Sequence, residues 1–331
     1  MRVLILGATG SIGVHTALYL KEQGHEVLAF GHRESDNGFF SDYGIPYYSF
    51  DLRQKESFDR IPDGIDAVVH FAGSMPARMQ GYHPHDYIDT IVTGTLNVLE
   101  WMSEKNVNKI VFSQSISDVL YKFGTTTPID DDSERRFPKN SDHSVYAIAK
   151  NAAVNLIQHY SARFGIENYV LRLPTIYVYH PNPYYFVDGK KRCMGYRILI
   201  ERAMKGEELE VWGNPKSTKE MVYVKDFAQI VKCCIDTKGK CGIYNVGCGT
   251  PISIEDQIRI IADVFNSGHK SVVVYRPEKP SSPQFILSID KARRELGYQP
   301  QYGFEKMMRD FKDEMEHEPF AKLWGYKEEY E

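Results

Sequence analysis

The first half of the chain alternates short apolar runs with amphipathic stretches, the pattern of βα units laid around a parallel sheet. Strands are predicted over 3–6, 27–30, 47–50, 67–71, 109–112 and 169–173, with helices near 12–23, 86–105 and 144–163 between them. The strands are continuous and rich in β-branched residues, so both faces of the sheet should be covered. After Pro174 the texture changes: residues 177–192 are crowded with Tyr, Pro and His and predict irregular structure. A helix near 193–204, strands near 209–212, 221–224 and 243–246, and helices near 253–265, 290–296 and 303–316 complete the reading. The charged stretch 130–136 reads as a solvated loop, with a substrate lid as the alternative.

At 331 residues the chain exceeds what one compact core usually absorbs. The prediction is an α/β protein: a Rossmann-type doubly wound parallel sheet over 1–174, rejoined by the chain at about 215–250, with a smaller C-terminal α+β substrate lobe from 175–214 and 251–331. The net charge of −4 argues against wrapping nucleic acid. No run reaches the roughly 18 apolar residues of a membrane span, and residues 1–7 read as a strand and not a signal peptide, so a cytoplasmic protein is expected. Five cysteines without a CxxC pair suggest reduced thiols, read as small core residues. Trp101 and Trp212 are assigned to packing, and His83-Pro84-His85 and His180-Pro181 to loops, with no metal site.

Gly7-Ala8-Thr9-Gly10-Ser11-Ile12-Gly13 follows the first strand and opens the first helix. Gly7 permits a tight turn, Gly10 lets a pyrophosphate approach the backbone, and Gly13 lets helix and strand pack closely. The free N–H groups of Ser11 and Ile12 at the helix start complete an anion site. The second strand ends in Gly31-His32-Arg33 with no carboxylate to hold a ribose diol. Arg33 could bond a 2′-phosphate, which tips the choice slightly from NAD toward NADP. Asp51, beside Leu52, could accept from an adenine amino group or merely cap a turn. Phe71-Ala72-Gly73 offer small residues where a cofactor would cross the strand ends.

Tyr146 and Lys150 stand at i and i+4, on one face of a helix. A phenol titrates near 10 and is a poor base until neighbouring positive charge favours the phenolate. Tyr146 could then pass a proton to or from a carbinol while hydride moves. Ser113 and Ser115 lie just past the fifth strand, where Ser115 could bond the reacting oxygen.

With these motifs in order, the chain resembles the extended short-chain dehydrogenases, the NAD(P)-dependent nucleotide-sugar epimerase/dehydratase group. GATGSIG at 7–13, HFAG at 70–73, IVFSQS at 110–115, YAIAK at 146–150, LRLPTIY at 171–177, MVYVKD at 221–226, YNVGCG at 244–249 and DKARRELGYQP at 290–300 carry the likeness. The resemblance implies that Tyr146, Lys150 and Ser115 are catalytic, and that Lys150 also holds the nicotinamide ribose. Pro174 then flanks the cofactor, while Thr175, Lys219 and Arg276 face the nucleotide sugar. It also places His180 and Cys193 near the sugar, and implies a homodimer through the helices at 86–105 and 144–163. The chain departs from the pattern at Gly31, where an acid is usual; at Ile91 and Thr175, where Asn is usual; and at Lys219, which replaces an arginine and loses its fork.

Dehydratases of the group resemble one another in an Asp-Glu pair after the catalytic hydroxyl, but here Ser115 is followed by Ile116-Ser117-Asp118. The resemblance therefore favours an epimerase of a nucleoside-diphosphate sugar. A reductase that exchanges its cofactor each cycle is the alternative, and a non-catalytic cofactor sensor the reading from another class.

Overall fold

The computed structural model describes residues 1–330 apart from Pro138, Asp142 and Asp188. The chain runs β1 (Arg2–Leu6), α1 (Ser11–Glu22), β2 (Glu26–Gly31), α2 (Phe39–Asp42), β3 (Tyr47–Ser49), β4 (Ala67–His70), α3 (Pro84–Tyr87), a π-helical segment (Ile88–Thr93), α4 (Gly94–Lys105), β5 (Lys109–Ser115), α5 (Ser144–Phe164) and β6 (Glu167–Leu173). It continues through β7 (Ile176–Tyr177), β8 (Tyr184–Val187), β9 (Lys190–Cys193), α6 (Gly195–Met204), β10 (Leu209–Trp212), β11 (Thr218–Lys219), β12 (Val222–Tyr223), α7 (Val224–Asp236), β13 (Gly242–Asn245), β14 (Ile252–Ser253), α8 (Ile254–Val264), β15 (Val273–Arg276), α9 (Asp290–Leu296), α10 (Phe304–His317) and α11 (Ala321–Trp324).

Seven strands pair in parallel in the order β13-β6-β5-β4-β1-β2-β3. The order reverses between β1 and β4, and in such sheets a crevice for ligands opens beyond the strand ends at that point. Both faces are covered, as the continuous apolar strands require. One face receives Val14, Ala17 and Leu20 of α1 with Phe227, Ile230 and Val231 of α7. The other receives Val98, Leu99 and Met102 of α4 with Ala153, Val154 and Ile157 of α5. Each Val, Leu, Ile, Phe or Met among them contributes roughly 1.5–3 kcal/mol by burial. A further cluster joins α6, α8, α10 and β10.

Four expectations fail. Residues 177–192 contain a β-hairpin, β8 with β9 antiparallel, in which Tyr184 faces Cys193 and Tyr185 faces Arg192. The strand expected over 221–224 is only two residues long and passes straight into α7. Of the five cysteines only Cys234 is buried, and Cys241 is exposed. Trp212 is 47% exposed, its ring lying under the Lys279 ammonium at 4.4 Å. The helix expected near 86–105 begins two residues earlier and carries the π segment, over which buried Ile91 closes against Gly73. Within the charged stretch 130–136, Asp131 is buried and accepts from the Asn245 amide, so that part of the loop is anchored to β13.

The chain end returns to the sheet. The Trp324 indole donates to the Thr9 carbonyl at 2.9 Å, and Asn37 donates to the Lys322 carbonyl at 3.0 Å. Among the described residues no helix is long and apolar enough to cross a membrane.

Candidate active site

Strand register brings the motifs to one edge. Leu6 pairs with His70 and His70 with Phe112, so the segments after β1, β4 and β5 leave the sheet side by side. Gly7 turns the chain at φ 87, and a Cβ there would lie 2.9 Å from the Ala72 nitrogen. A Cβ on Gly13 would meet the Gly7 oxygen at 2.2 Å, so glycine is obligatory where α1 crosses the loop. At Gly10 a Cβ would meet only that same oxygen, at 3.4 Å, and the protein leaves this approach open. No side chain caps α1. Its uncapped N–H groups and the partial positive charge of its N-terminus fit a dinucleotide pyrophosphate.

The α5 side chains meet β5 as the i, i+4 spacing requires. Lys150 is buried and its ammonium donates to the Ser113 carbonyl at 2.8 Å and to Ser113 Oγ at 3.3 Å. It also sits 4.6 Å from the centroid of the Phe112 ring. Burial lowers its pKa to about 7. The Tyr146 ring meets Tyr87 edge-on at 5.9 Å. Burial pushes the phenol up to about 12, and the neighbouring Ser115 side chain opposes that rise. Ser115 Oγ also accepts from the Ser117 amide at 3.2 Å. Serine, phenol and ammonium thus share one strand end. Positive charge brought beside the phenol would lower its pKa toward the working range of a base.

Asp118 is withdrawn from this chemistry. It is fully buried in a two-pronged ion pair with Arg172, Nε to Oδ1 at 3.0 Å and Nη2 to Oδ2 at 3.1 Å. Arg172 also donates to Asn245 Oδ1 at 2.9 Å and to the Asp131 carbonyl at 3.1 Å, tying β6 to β13. A carboxylate so engaged is not an available acid.

The remaining positions divide. Around the dinucleotide loop, Thr9 is buried, and a Cβ on Gly31 would press on Thr9 Oγ1 at 2.9 Å and on the Tyr47 hydroxyl at 3.1 Å. A side chain at the end of β2 would therefore crowd Thr9 and Tyr47. Arg33 donates to the Leu323 carbonyl at 2.5 Å, and the Tyr47 hydroxyl donates to the Arg33 carbonyl at 2.7 Å. His32 is exposed. Asp51 is bound by Arg53, Nη2 to Oδ2 at 2.7 Å, whose hydrogen bonds hold the carboxyl below its usual range. Leu52 is buried against Gly94, where a Cβ would come within 2.1 Å of its Cδ1. Phe71 packs on Phe227 at 5.3 Å. Ile12, Ala72 and Gly73 are half-buried beside it.

Toward the substrate side, Pro174 is buried and Thr175 exposed. Thr175 lines, with Ser11, His180 and Asn182, a cavity of about 130 Å³ whose walls also carry Arg78 and Arg197. Sequence reasoning did not select those two arginines, because nothing local separates either from a solvated arginine. Cys193 lines a neighbouring cavity of about 640 Å³. Lys219, lowered by burial, has no carboxylate partner among the described residues. Arg276 is paired with Glu210 at 3.1 Å.

The comparisons with known proteins agree with this geometry. The model of the NAD dependent epimerase/dehydratase family matches residues 3–247. The chain is 26% identical to a UDP-glucose 4-epimerase of Halalkalibacterium halodurans, over 91% of each chain. It is likewise 26% identical to a putative UDP-glucose 4-epimerase of Methanocaldococcus jannaschii, covering 92% of this chain and 95% of the other. Among solved structures, a UDP-N-acetylglucosamine 4-epimerase from Bacillus cereus superposes with a TM-score of 0.76 at 20% identity, over 96% of both chains. A Thermus thermophilus UDP-glucose 4-epimerase in complex with NAD does so at 0.71 and 24%, covering 95% of this chain and 98% of that one. A match across three quarters of the chain, on the fold and motifs just described, places this protein in the NAD dependent epimerase/dehydratase family.

Proposed function

We propose that this chain is an NAD-dependent epimerase of a nucleoside-diphosphate sugar. The observation that carries the reading is the strand end shared by Ser115, Tyr146 and Lys150: Lys150 lies one turn of α5 beyond Tyr146, buried and bonded to Ser113, two residues before Ser115. Bound at the α1 N-terminus, the nicotinamide dinucleotide supplies reversible hydride acceptance. Tyr146 removes the proton of the sugar hydroxyl as that carbon is oxidised and returns it when the ketone is reduced on its other face. Ser115 donates to the same oxygen and orients it. Lys150, now bonded to Ser113, would hold the nicotinamide ribose, and its positive charge would lower the phenol's pKa.

NAD is preferred to NADP in this reading. Arg33, the candidate for a 2′-phosphate, is spent on the Leu323 carbonyl, and a solved relative carries NAD. Lys219, without an acidic partner among the described residues, is the proposed diphosphate contact, joined by Arg276 once it leaves Glu210. Burial of Asp118 against Arg172 supports epimerisation over dehydration, since the nearest acid to Ser115 cannot take part in expelling water. The proposal includes a cytoplasmic homodimer through α4 and α5, where Ile148 and Phe164 are exposed on α5.

Replacing Tyr146 with Phe tests the assignment. Epimerisation of the nucleotide sugar that the wild-type protein turns over, followed by NMR, should fall about 10²–10⁴-fold with NAD affinity nearly unchanged. Full activity in that variant would remove the assigned base.

A further inference from the structure

The small cavity beside the reacting centre has walls of one sign. Ser11, at the start of α1, Thr175, His180 and Asn182 line it together with Arg78 and Arg197, and no acidic residue does. At about 130 Å³ it is well below the roughly 300–1,000 Å³ of a whole-ligand site, and is a subsite.

Its two guanidiniums are held differently. Arg197 is 7% exposed and donates to the His180 carbonyl at 2.9 Å. Its cation lies between the rings of Tyr179 at 5.3 Å and Phe311 at 5.5 Å. Arg78 is exposed and reaches in from the segment after β4; among the described residues its guanidinium's one hydrogen bond is a long one to the Tyr184 carbonyl, 3.4 Å. Among the described residues neither arginine pairs with a carboxylate. His180 adds no charge, since burial and the neighbouring arginines hold it near 3 and its ring lies against Trp324 at 4.6 Å. Arg197 is thus a buried cation with no carboxylate at ion-pair distance among the described residues, which is costly, and a ligand anion is the partner that would offset it.

Position separates the possible anions. Thr175 is two residues beyond Leu173, and Leu173 is the register partner of Ser115 in the sheet. One wall of the cavity is therefore two residues along the chain from the strand end that carries Ser115, and another is the start of α1. The basic residues at the nucleotide end, Lys219 on β11 and Arg276 on β15, are elsewhere. Guanidinium forks match a carboxylate with two parallel bonds.

Resting on the epimerase reading above, we infer that Arg78 and Arg197 form a subsite for a carboxylate borne by the sugar, so that the substrate is a nucleoside-diphosphate uronate rather than a neutral hexose. Arg197 is the fixed half of the clamp, and Arg78, less constrained, closes on the ligand.

Calorimetric titration of the NAD-loaded protein with UDP-glucuronate and UDP-glucose tests this, alongside Arg78→Ala and Arg78→Lys. Wild-type protein should bind the uronate about tenfold or more tightly than the neutral sugar. Arg78→Ala should lose most of that preference while UDP-glucose and NAD affinities stay within about twofold. Arg78→Lys should recover part of it. Equal wild-type affinities would overturn the inference. So would an equal loss for both sugars in Arg78→Ala, which would put Arg78 on the shared diphosphate, or a loss of NAD affinity, which would put it on the cofactor. Binding of UDP-glucose without the uronate would defeat this inference and leave the epimerase reading standing; binding of neither would end both.

Discussion

At the proposed reacting end of the crevice Lys150 is fixed by regular structure, whereas at the proposed nucleotide end Arg276 sits in salt bridges that a ligand would have to exchange. Lys150 is buried on a 21-residue helix against the seven-stranded sheet, bonded to the strand beside it. Arg276 ends a four-residue strand in a two-stranded sheet, more than a third exposed and shared by Glu210 and Glu208. The first arrangement holds its geometry whether or not ligand is present. The second leaves its cation neutralised until a stronger anion displaces the glutamates. On the proposed reading, chemistry that tolerates little misplacement would be carried by the first region and recognition that can adjust by the second.

The contrast should be sharpest in stability. Asp118→Ala strands Arg172 as an unpaired buried cation at the end of β6 and should cost about 3–5 kcal/mol in denaturant unfolding. A loss under about 1 kcal/mol would mean the pair is not the anchor of the strand ends. Next comes Ser115→Ala, which leaves the fold intact and should lower kcat about 10²–10³-fold with little change in KM, because the lost bond matters most as charge develops. An effect on KM alone would return Ser115 to a turn residue.

Most of the first region was readable in the sequence, because its information is local. GATGSIG and the Tyr146–Lys150 spacing each lie on one element, and the strand pattern set the order in which the elements meet. The second region depends on partners remote in the chain. Arg33 is bound by a carbonyl 290 residues away, and Arg276 by a glutamate 66 residues away. No spacing rule reaches that far. Two omissions had visible signals. In α7, buried Val224, Phe227, Ala228, Val231 and Ile235 repeat at helical intervals. In β15 the run Val272-Val273-Val274-Tyr275 is β-branched and aromatic, as strands are. The hairpin of β8 and β9 had none, since its residues are only half-buried or exposed and do not alternate.

A smaller effect tests the buried polar groups beneath the site. His70 is fully buried, bonded through Nε2 to Thr95 Oγ1 at 3.0 Å, and burial holds its pKa near 3. An unfolded histidine takes up its proton near 6.5. Stability from this residue is therefore level above about 6.5 and falls as pH drops toward 3, by on the order of 1 kcal/mol per pH unit. Glu314, raised by burial to about 7, slopes the other way between its unfolded value and 7, so His70 must be isolated by difference. His70→Gln should flatten the acid limb of the stability curve relative to wild type. An unchanged slope would mean that His70 is protonated in the fold. Last is Arg276→Ala, which should leave the thermal midpoint unmoved while raising KM for a nucleotide sugar about tenfold. A large loss of stability would show that its bond to Glu210 is structural.

The central claim is that the Tyr146, Ser115 and Lys150 cluster passes a sugar hydroxyl through a ketone by reversible hydride transfer. The most direct test is to mix NAD-loaded protein with its nucleotide sugar and follow the near-ultraviolet absorbance of reduced nicotinamide. The account predicts that reduced cofactor forms, stays bound and disappears as epimer accumulates, and that none forms in Tyr146→Phe. Epimer appearing without reduced cofactor, or reduced cofactor forming equally well in Tyr146→Phe, would contradict it.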